Sequence, residues 1–368
     1  MSVPESICLL RLSALGDVTH MLPIVHTLRR HWPQTRLTWV IGKFEARLVG
    51  DLPDVEFITF DKRAGWRGYH DLHRQLAGRH FDVACIMQVA LRANLASLAV
   101  RAPVRIGFDR ARAKDGHGLF VNQRIMPGPG EHVIEGFFGF LRAAGLSARE
   151  WCWDLPIPDE ARNWAAAQCP PDRPVLLLSP CSSHPQRNWR AEHYAHVADH
   201  AARHHGLRVI LCGGPSPAER AMGDAITAAI TGEPPLDLIG KDTLKRFLAL
   251  LERACVLISP DSGPAHMAIC TGTPVIGLYA ASNPVRSGPY NSRQWCVDRY
   301  DAAARKFLGK PAAALPWGRK LEFPGVMDLI EPEAVTERLD ALMAWRTAQV
   351  RRSRHRIFLR LASNPDAD

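Results

Sequence analysis

Ile7-Cys8-Leu9-Leu10-Arg11-Leu12-Ser13-Ala14-Leu15-Gly16-Asp17-Val18-Thr19-His20 reads as a fully apolar strand, a turn of small residues, and the start of a helix. A strand without polar alternation is one covered on both faces, as in a parallel sheet. Outward from it the pattern repeats. Further strands are expected at Leu37–Ile41, Val55–Phe60, Val83–Met87 and Val104–Phe108, with helices at Thr19–Arg30 and Ala90–Val100 among those between. A second series follows, with strands at Val175–Ser179, Arg208–Cys212, Leu236–Ile239, Val256–Ser259 and Val275–Tyr279. Its helices are expected at Ala191–His205, Pro217–Ile230, Leu244–Arg253 and Ala265–Cys270. Repeated βα units predict an α/β fold of two doubly wound, Rossmann-like sheets facing a cleft.

The 368-residue length suits two domains. Trp151–Pro174 is rich in proline and reads as the connection. The expected division is 1–155, a linker at 156–174, a second domain at 175–343 and a basic tail at 344–368. Six arginines and no acid lie between Arg346 and Arg360, against a net charge of +9. The body is thus only mildly basic, which argues against general nucleic-acid binding. The tail also carries Val350, Ile357, Phe358, Leu359 and Leu361. It reads either as a segment resting on anionic lipid or as a solvated terminus. Nine scattered cysteines without a CxxC pair read as free thiols of a reducing cytosol, and no clustered metal ligands are seen. No basic-then-apolar leader and no bilayer-length apolar run is present, so a cytoplasmic protein is expected.

In doubly wound sheets ligands sit beyond the carboxyl ends of the strands, so the post-strand loops are where chemistry is sought. Asp17 reads two ways: as an N-cap of the following helix, or as a general base facing the cleft. GxGxxG is absent there, which excludes the dinucleotide fingerprint. Ser259-Pro260-Asp261-Ser262-Gly263-Pro264-Ala265-His266 offers unpaired N–H groups at a helix start, suited to a diphosphate, or is a plain capped turn. Ser179-Pro180-Cys181-Ser182-Ser183-His184-Pro185-Gln186-Arg187 supplies hydroxyls and one cation. Glu219, after Cys212-Gly213-Gly214, reads as a ribose acceptor or as an ordinary first-turn acid. Three such loops in one domain would share one rim.

The ordered set LSALGDVTH, SPCSSHPQRNW, CGGPSPAE, LIGKDTLKR and SPDSGPAHMA with GTPVIGLY resembles glycosyltransferase family 9, the ADP-heptose:lipopolysaccharide heptosyltransferases, from about Ile7 to Leu342. The resemblance implies a GT-B fold, an inverting reaction, no metal and no cofactor. It implies an ADP-heptose donor and a lipid A-linked core oligosaccharide acceptor met at the inner face of the cytoplasmic membrane. Asp17 would be the base, and Arg187 would stand where the family often has a lysine on the leaving diphosphate. Backbone groups at Ser262 and Gly263 would hold phosphate, with Asp261 on the heptose and Glu219 on the ribose; Ser182 and His266 would also meet the donor. Gly240, Lys241 and Asp242 would lie along the adenine. Ser13, Gly16, Lys62, Arg63, Arg67 and Gln88 would meet the acceptor, with Arg92 and Arg112 as weaker candidates. His132 and Glu135 are expected to pack structurally. A nucleotide-sugar 2-epimerase and a non-catalytic glycan- or nucleotide-binding module are the rival readings.

Overall fold

The computed structural model describes residues 3–128, 130–169 and 171–362, with side chains to residue 349. The first half builds strands β1 (Ser6–Leu10), β2 (Arg36–Gly42), β3 (Val55–Phe60), β4 (Val83–Ile86), β5 (Val104–Gly107) and β6 (Gln123–Arg124). Helices α1 (Leu15–His20), α2 (Leu22–His31), α3 (Ala46–Val49), α4 (Trp66–Gln75), α5 (Leu91–Ala96) and α6 (Val133–Ala143) connect or follow them. The helix expected at Thr19–Arg30 is in fact two. Pro23 stands at the start of α2, where its missing N–H costs no helical bond, and the chain restarts at Met21.

Beyond α7 (Asp159–Gln168), the second half holds β7 (Val175–Leu178), β8 (Arg208–Leu211), β9 (Leu236–Asp237), β10 (Val256–Pro260), β11 (Val275–Tyr279) and β12 (Val297–Asp298). Its helices are α8 (Ala191–His205), α9 (Pro217–Ala229), α10 (Leu244–Arg253), α11 (Gly263–Met267), α12 (Pro284–Ser287), α13 (Tyr300–Leu308) and α14 (Pro332–Ala362). The stretch expected to be a bare linker therefore contains a helix. Ala161 and Ala165 on α7 are buried, and α7 packs on α10. Pro170 lies outside the described residues. The tail expected from 344 begins inside α14. Its backbone continues helically to Ala362, while most of its arginines lie beyond the described side chains.

Both sheets are wholly parallel and share one topology. The orders are β3-β2-β1-β4-β5-β6 and β12-β11-β10-β7-β8-β9, each reversing direction beside its first strand. The reversal leaves a crevice between β1 and β4, and another between β7 and β10, where neighbouring crossovers diverge to opposite faces. Strands buried throughout make this possible: β1, β4, β7, β10 and β11 are buried at every position. One apolar core runs from a face of the first sheet (Ile7, Leu9, Trp39) through Trp153 and Ala165 to the facing side of the second (Leu177, Leu248, Leu257). Separate clusters cover the far face of each sheet. The two crevices are thus held opposite one another by a continuous core. No helix among the described residues is long and apolar enough to cross a membrane.

Candidate functional site

A cavity of about 2360 Å³ lies between the halves, lined by post-strand loops of both sheets. Its first-half wall includes Arg11, Gly16, Asp17, Lys62 and Gln88; its second-half wall includes Ser182, Arg187, Glu219, Asp261, Ser262, Gly263, His266 and Lys320. The walls meet where α1 packs on α11. That approach depends on Gly16: a β-carbon there would stand 2.4 Å from His266 Cδ2. Sequence reasoning gave Gly16 to a tight turn and to the acceptor. Its observed service is close packing against the opposite half.

Asp17 is not the N-cap of α1. Ala14 holds that position, and Asp17 sits in the third helical place, reaching back to the Ala14 N–H at 3.4 Å. Arg11 Nη2 donates to the same oxygen, Oδ2. Arg11 is itself fixed by the Met87 carbonyl at 2.5 Å and by the Phe137 ring, 5.3 Å from its guanidinium carbon. Oδ1 accepts no hydrogen bond among the described residues, so the carboxylate is oriented through one oxygen on the cavity wall. Orientation of this kind is what a general base needs.

His266 is buried beneath this contact. Its ring packs edge-on to His20 at 4.7 Å, and His132 completes the group 5.5 Å from His20. Burial, then the neighbouring rings, holds His20 well below the usual imidazole range; burial brings His132 to about 3. Those two therefore pack as neutral rings at neutral pH. His132 Nε2 lies 2.9 Å from the Gly288 carbonyl, and Glu135 accepts from the Tyr290 hydroxyl at 3.0 Å. Both residues thus make packing contacts across the halves, and Glu135 also pairs with Arg149 of its own half, while His132 in addition lines the cavity.

The remaining acceptor candidates divide. Gln88 accepts from the Leu12 N–H at 2.9 Å and donates to Ser13 Oγ at 3.2 Å. It lines the cavity, yet its amide is spent tying the end of β1 to the end of β4; Ser13 does not reach the wall. Lys62 does, paired with Glu45 at 3.1 Å. Arg63 and Arg67 are exposed, off the cavity wall and without an ion pair among the described residues. Arg112 lines the wall but is held by Asp109 and by the Met126 carbonyl at 3.1 Å; Arg92 is exposed and off the wall. Glu45, which sequence reasoning missed, is a buried carboxylate accommodated because Gly42 lacks a side chain.

On the opposite wall, Ser262 turns its hydroxyl to Ser259 Oγ at 2.8 Å, so α11 begins without a side-chain cap. The N–H groups beside Gly263 are left for a ligand. Asp261 is buried and belongs to a charged set. Lys320 Nζ donates to Oδ2 at 2.6 Å, Arg187 Nη1 stands 3.8 Å from the same oxygen, and His266 Nε2 is 3.8 Å from Oδ1. Burial alone would raise its pKa; His266 and Lys320 outweigh burial and hold it well below the usual carboxylate range. Arg187 gives Nε and Nη2 to Glu322 Oε1, at 2.8 and 2.5 Å. Ser182 accepts from the His184 N–H at 3.4 Å. Ser216 caps α9 by accepting from the Glu219 N–H at 3.3 Å, and the Glu219 carboxylate accepts the Ser216 hydroxyl at 2.6 Å and the Gly214 N–H at 2.8 Å.

Of the three residues expected along the adenine, only Asp242 reaches the cavity. Gly240 adopts φ 76° beside Pro215, and Lys241 folds back to the Asp237 carbonyl at 2.8 Å. Burial, and secondarily Glu219, raises the Asp242 carboxyl to about 7. Cys181 is also on the wall, but burial and Glu219 push its thiol up to about 11, which disfavours the thiolate at neutral pH. Among the described residues, the grouped metal-capable side chains are His200, His205 and Asp340, none of them on the cavity wall.

The sequence pattern of glycosyltransferase family 9 (heptosyltransferase) matches residues 69–316. The chain belongs to glycosyltransferase family 9. It is 40% identical over 339 residues to the lipopolysaccharide core heptosyltransferase OpsX of Haemophilus influenzae, covering 92% of this chain and 97% of the relative. Lipopolysaccharide heptosyltransferase 1 of Pseudomonas aeruginosa is 24% identical, with 92% and 98% covered. Among solved structures, a family 9 glycosyltransferase from Veillonella parvula superposes with a TM-score of 0.74 at 23% identity, covering 94% of this chain and 99% of that one. E. coli heptosyltransferase WaaC with ADP gives 0.69 at 17% identity, covering 92% and 99%. This family 9 member thus has the GT-B architecture of two facing sheets and is a glycosyltransferase.

Proposed function

We propose that this family 9 enzyme transfers heptose from ADP-heptose to the inner core of lipopolysaccharide, inverting the anomeric centre without a metal, as a cytoplasmic protein peripheral to the inner membrane. The observation that carries the reading is the joining of Asp17 and the uncapped turn at Ser262 and Gly263 on one cavity through the α1–α11 contact. Single displacement needs one carboxylate to take the acceptor proton and positive or dipolar groups beside the departing diphosphate. Arg11 orients the first; the start of α11 and the cationic wall of Arg187, Arg286, Arg319 and Lys320 suit the second. The acceptor oxygen bonds to the anomeric carbon as its bond to phosphate breaks, the electron pair leaving with ADP and the hydroxyl proton passing to Asp17.

Mass-spectrometric transfer with ADP-heptose and heptose-less lipopolysaccharide tests this. Asp17→Asn should lower transfer by a factor of about 10²–10⁴ and leave ADP affinity within a few fold. Full transfer by Asp17→Asn would remove the base. Conversion of donor alone to an isomeric nucleotide sugar would favour an epimerase, and binding without turnover a recognition module.

A further inference from the structure

Four charged side chains on the donor wall form an alternating row: Glu322, Arg187, Asp261, Lys320. The two cations in it are not equivalent. Arg187 uses Nε and Nη2 on Glu322 and directs Nη1 toward Asp261, so two carboxylates already face its charge. Lys320 has one partner, Asp261, and an ammonium carries three N–H donors. Two of them have no acceptor among the described residues, on a side chain that lines the cavity.

Its backbone is also secured. The Tyr300 hydroxyl donates to the Arg319 carbonyl at 2.8 Å, and the Leu321 N–H donates to the Ala281 carbonyl at 2.8 Å. Trp317 Nε1 donates to the Glu131 carbonyl of the first half at 2.9 Å. Lys320 is therefore held from both sides of the chain, and through Trp317 from both sides of the cavity. Burial lowers its pKa, with Asp261 opposing. A partly dehydrated cation of this kind interacts more strongly with an arriving anion than one in bulk water does.

Resting on the donor reading above, we propose that Lys320 is a side-chain cation for the β-phosphate of the nucleotide diphosphate. Its two free N–H groups take up the charge that develops there as the bond to the anomeric carbon breaks. Asp261 sets the direction of the ammonium, and Arg187 fixes the wall behind it.

Calorimetric binding of ADP and of AMP separates this role from a structural one, because only ADP carries the β-phosphate. Wild type should prefer ADP. Lys320→Met should weaken ADP by about ten- to a hundredfold, as expected for loss of a charged hydrogen bond. AMP affinity should stay within about twofold, and kcat for transfer should fall with the ADP affinity. Lys320→Arg should recover part of the ADP preference. If Lys320→Met melts early from stranding Asp261, the double variant Asp261→Asn with Lys320→Met removes that carboxylate, and the same ratio is read there. An ADP-to-AMP ratio equal to wild type in the folded variant overturns the proposal. A wild type that fails to distinguish ADP from AMP would instead sink the donor reading, and this assignment with it.

Discussion

Replacing Gly16 with alanine puts a methyl group where the structure has no room for one. The new carbon would lie 2.4 Å from His266 Cδ2, 3.1 Å from Cγ and 3.2 Å from Nε2. Comfortable carbon–carbon contact begins near 3.5 Å, so about 1 Å must be found. The imidazole cannot easily supply it. His20 packs 4.7 Å away, and Asp261 stands 3.8 Å from Nε2. The remaining route is separation of α1 from α11 by about the same amount. Overpacking of this size costs about 1–3 kcal/mol in a core. Here the strain is relieved by moving Asp17, the adjacent residue, away from the donor wall. A 1 Å misplacement of a reacting group lowers rate by about a hundredfold. Gly16→Ala should therefore lose about that factor in kcat, measured by ADP release, while ADP binding changes by less than about fivefold. Gly263→Ala provides the graded comparison. Its methyl would meet Leu15 Cβ at 3.1 Å, a smaller intrusion, and it keeps its backbone N–H, so its loss should be clearly smaller. Wild-type kcat in Gly16→Ala, or a larger loss in Gly263→Ala, would refute the reasoning that this contact positions the base.

Two other outcomes follow from the charges described. The Asp242 carboxyl, raised to about 7 by burial, keeps its proton in the folded state while the unfolded chain has released it. Its stabilising share is full below the ordinary carboxylate range and is lost as pH rises through about 7. Asp242→Asn should thus gain stability relative to wild type progressively from pH 4 to 7 in thermal melts; a constant difference would contradict the shift. Truncation after Ala344 removes six arginines and should lower binding to anionic liposomes at low salt, while neutral liposomes should be unaffected; unchanged binding would assign the tail no lipid role.

Sequence reasoning read the sheets well where burial is two-sided. β11, buried at every position, begins and ends where its apolar run does; the half-exposed edge strand β3 was also read to its ends. It missed β6 and β12, two-residue edge strands with a single neighbour each. Gln123–Arg124 carries no apolar signal, and pairing with β5 alone defines it. Asp17, Asp261 and Glu219 were legible because they follow strands. The direction of a side chain was not: Lys241 turns back into its own loop, and Arg63 and Arg67 leave the cavity. Lys320 was missed because it sits in no post-strand motif; Glu45 does follow β2, but nothing in Lys43-Phe44-Glu45 marks its carboxylate as buried. Lys320 comes from an irregular segment after α13 that reaches the site through tertiary bonds alone.

Residues 131–135, at the opening of α6, are hydrogen-bonded to two segments of the second half: the Glu131 carbonyl accepts from Trp317, the Gly288 carbonyl accepts from His132, and Glu135 accepts from Tyr290. Five consecutive positions therefore act as a fiducial mark against which the donor lobe is registered. A substitution at Glu135, which is off the cavity wall, would touch neither sugar nor nucleotide, yet would tilt the donor lobe as a body. Its kinetic signature would be a common loss for every donor tried, rather than a change in which donor is chosen.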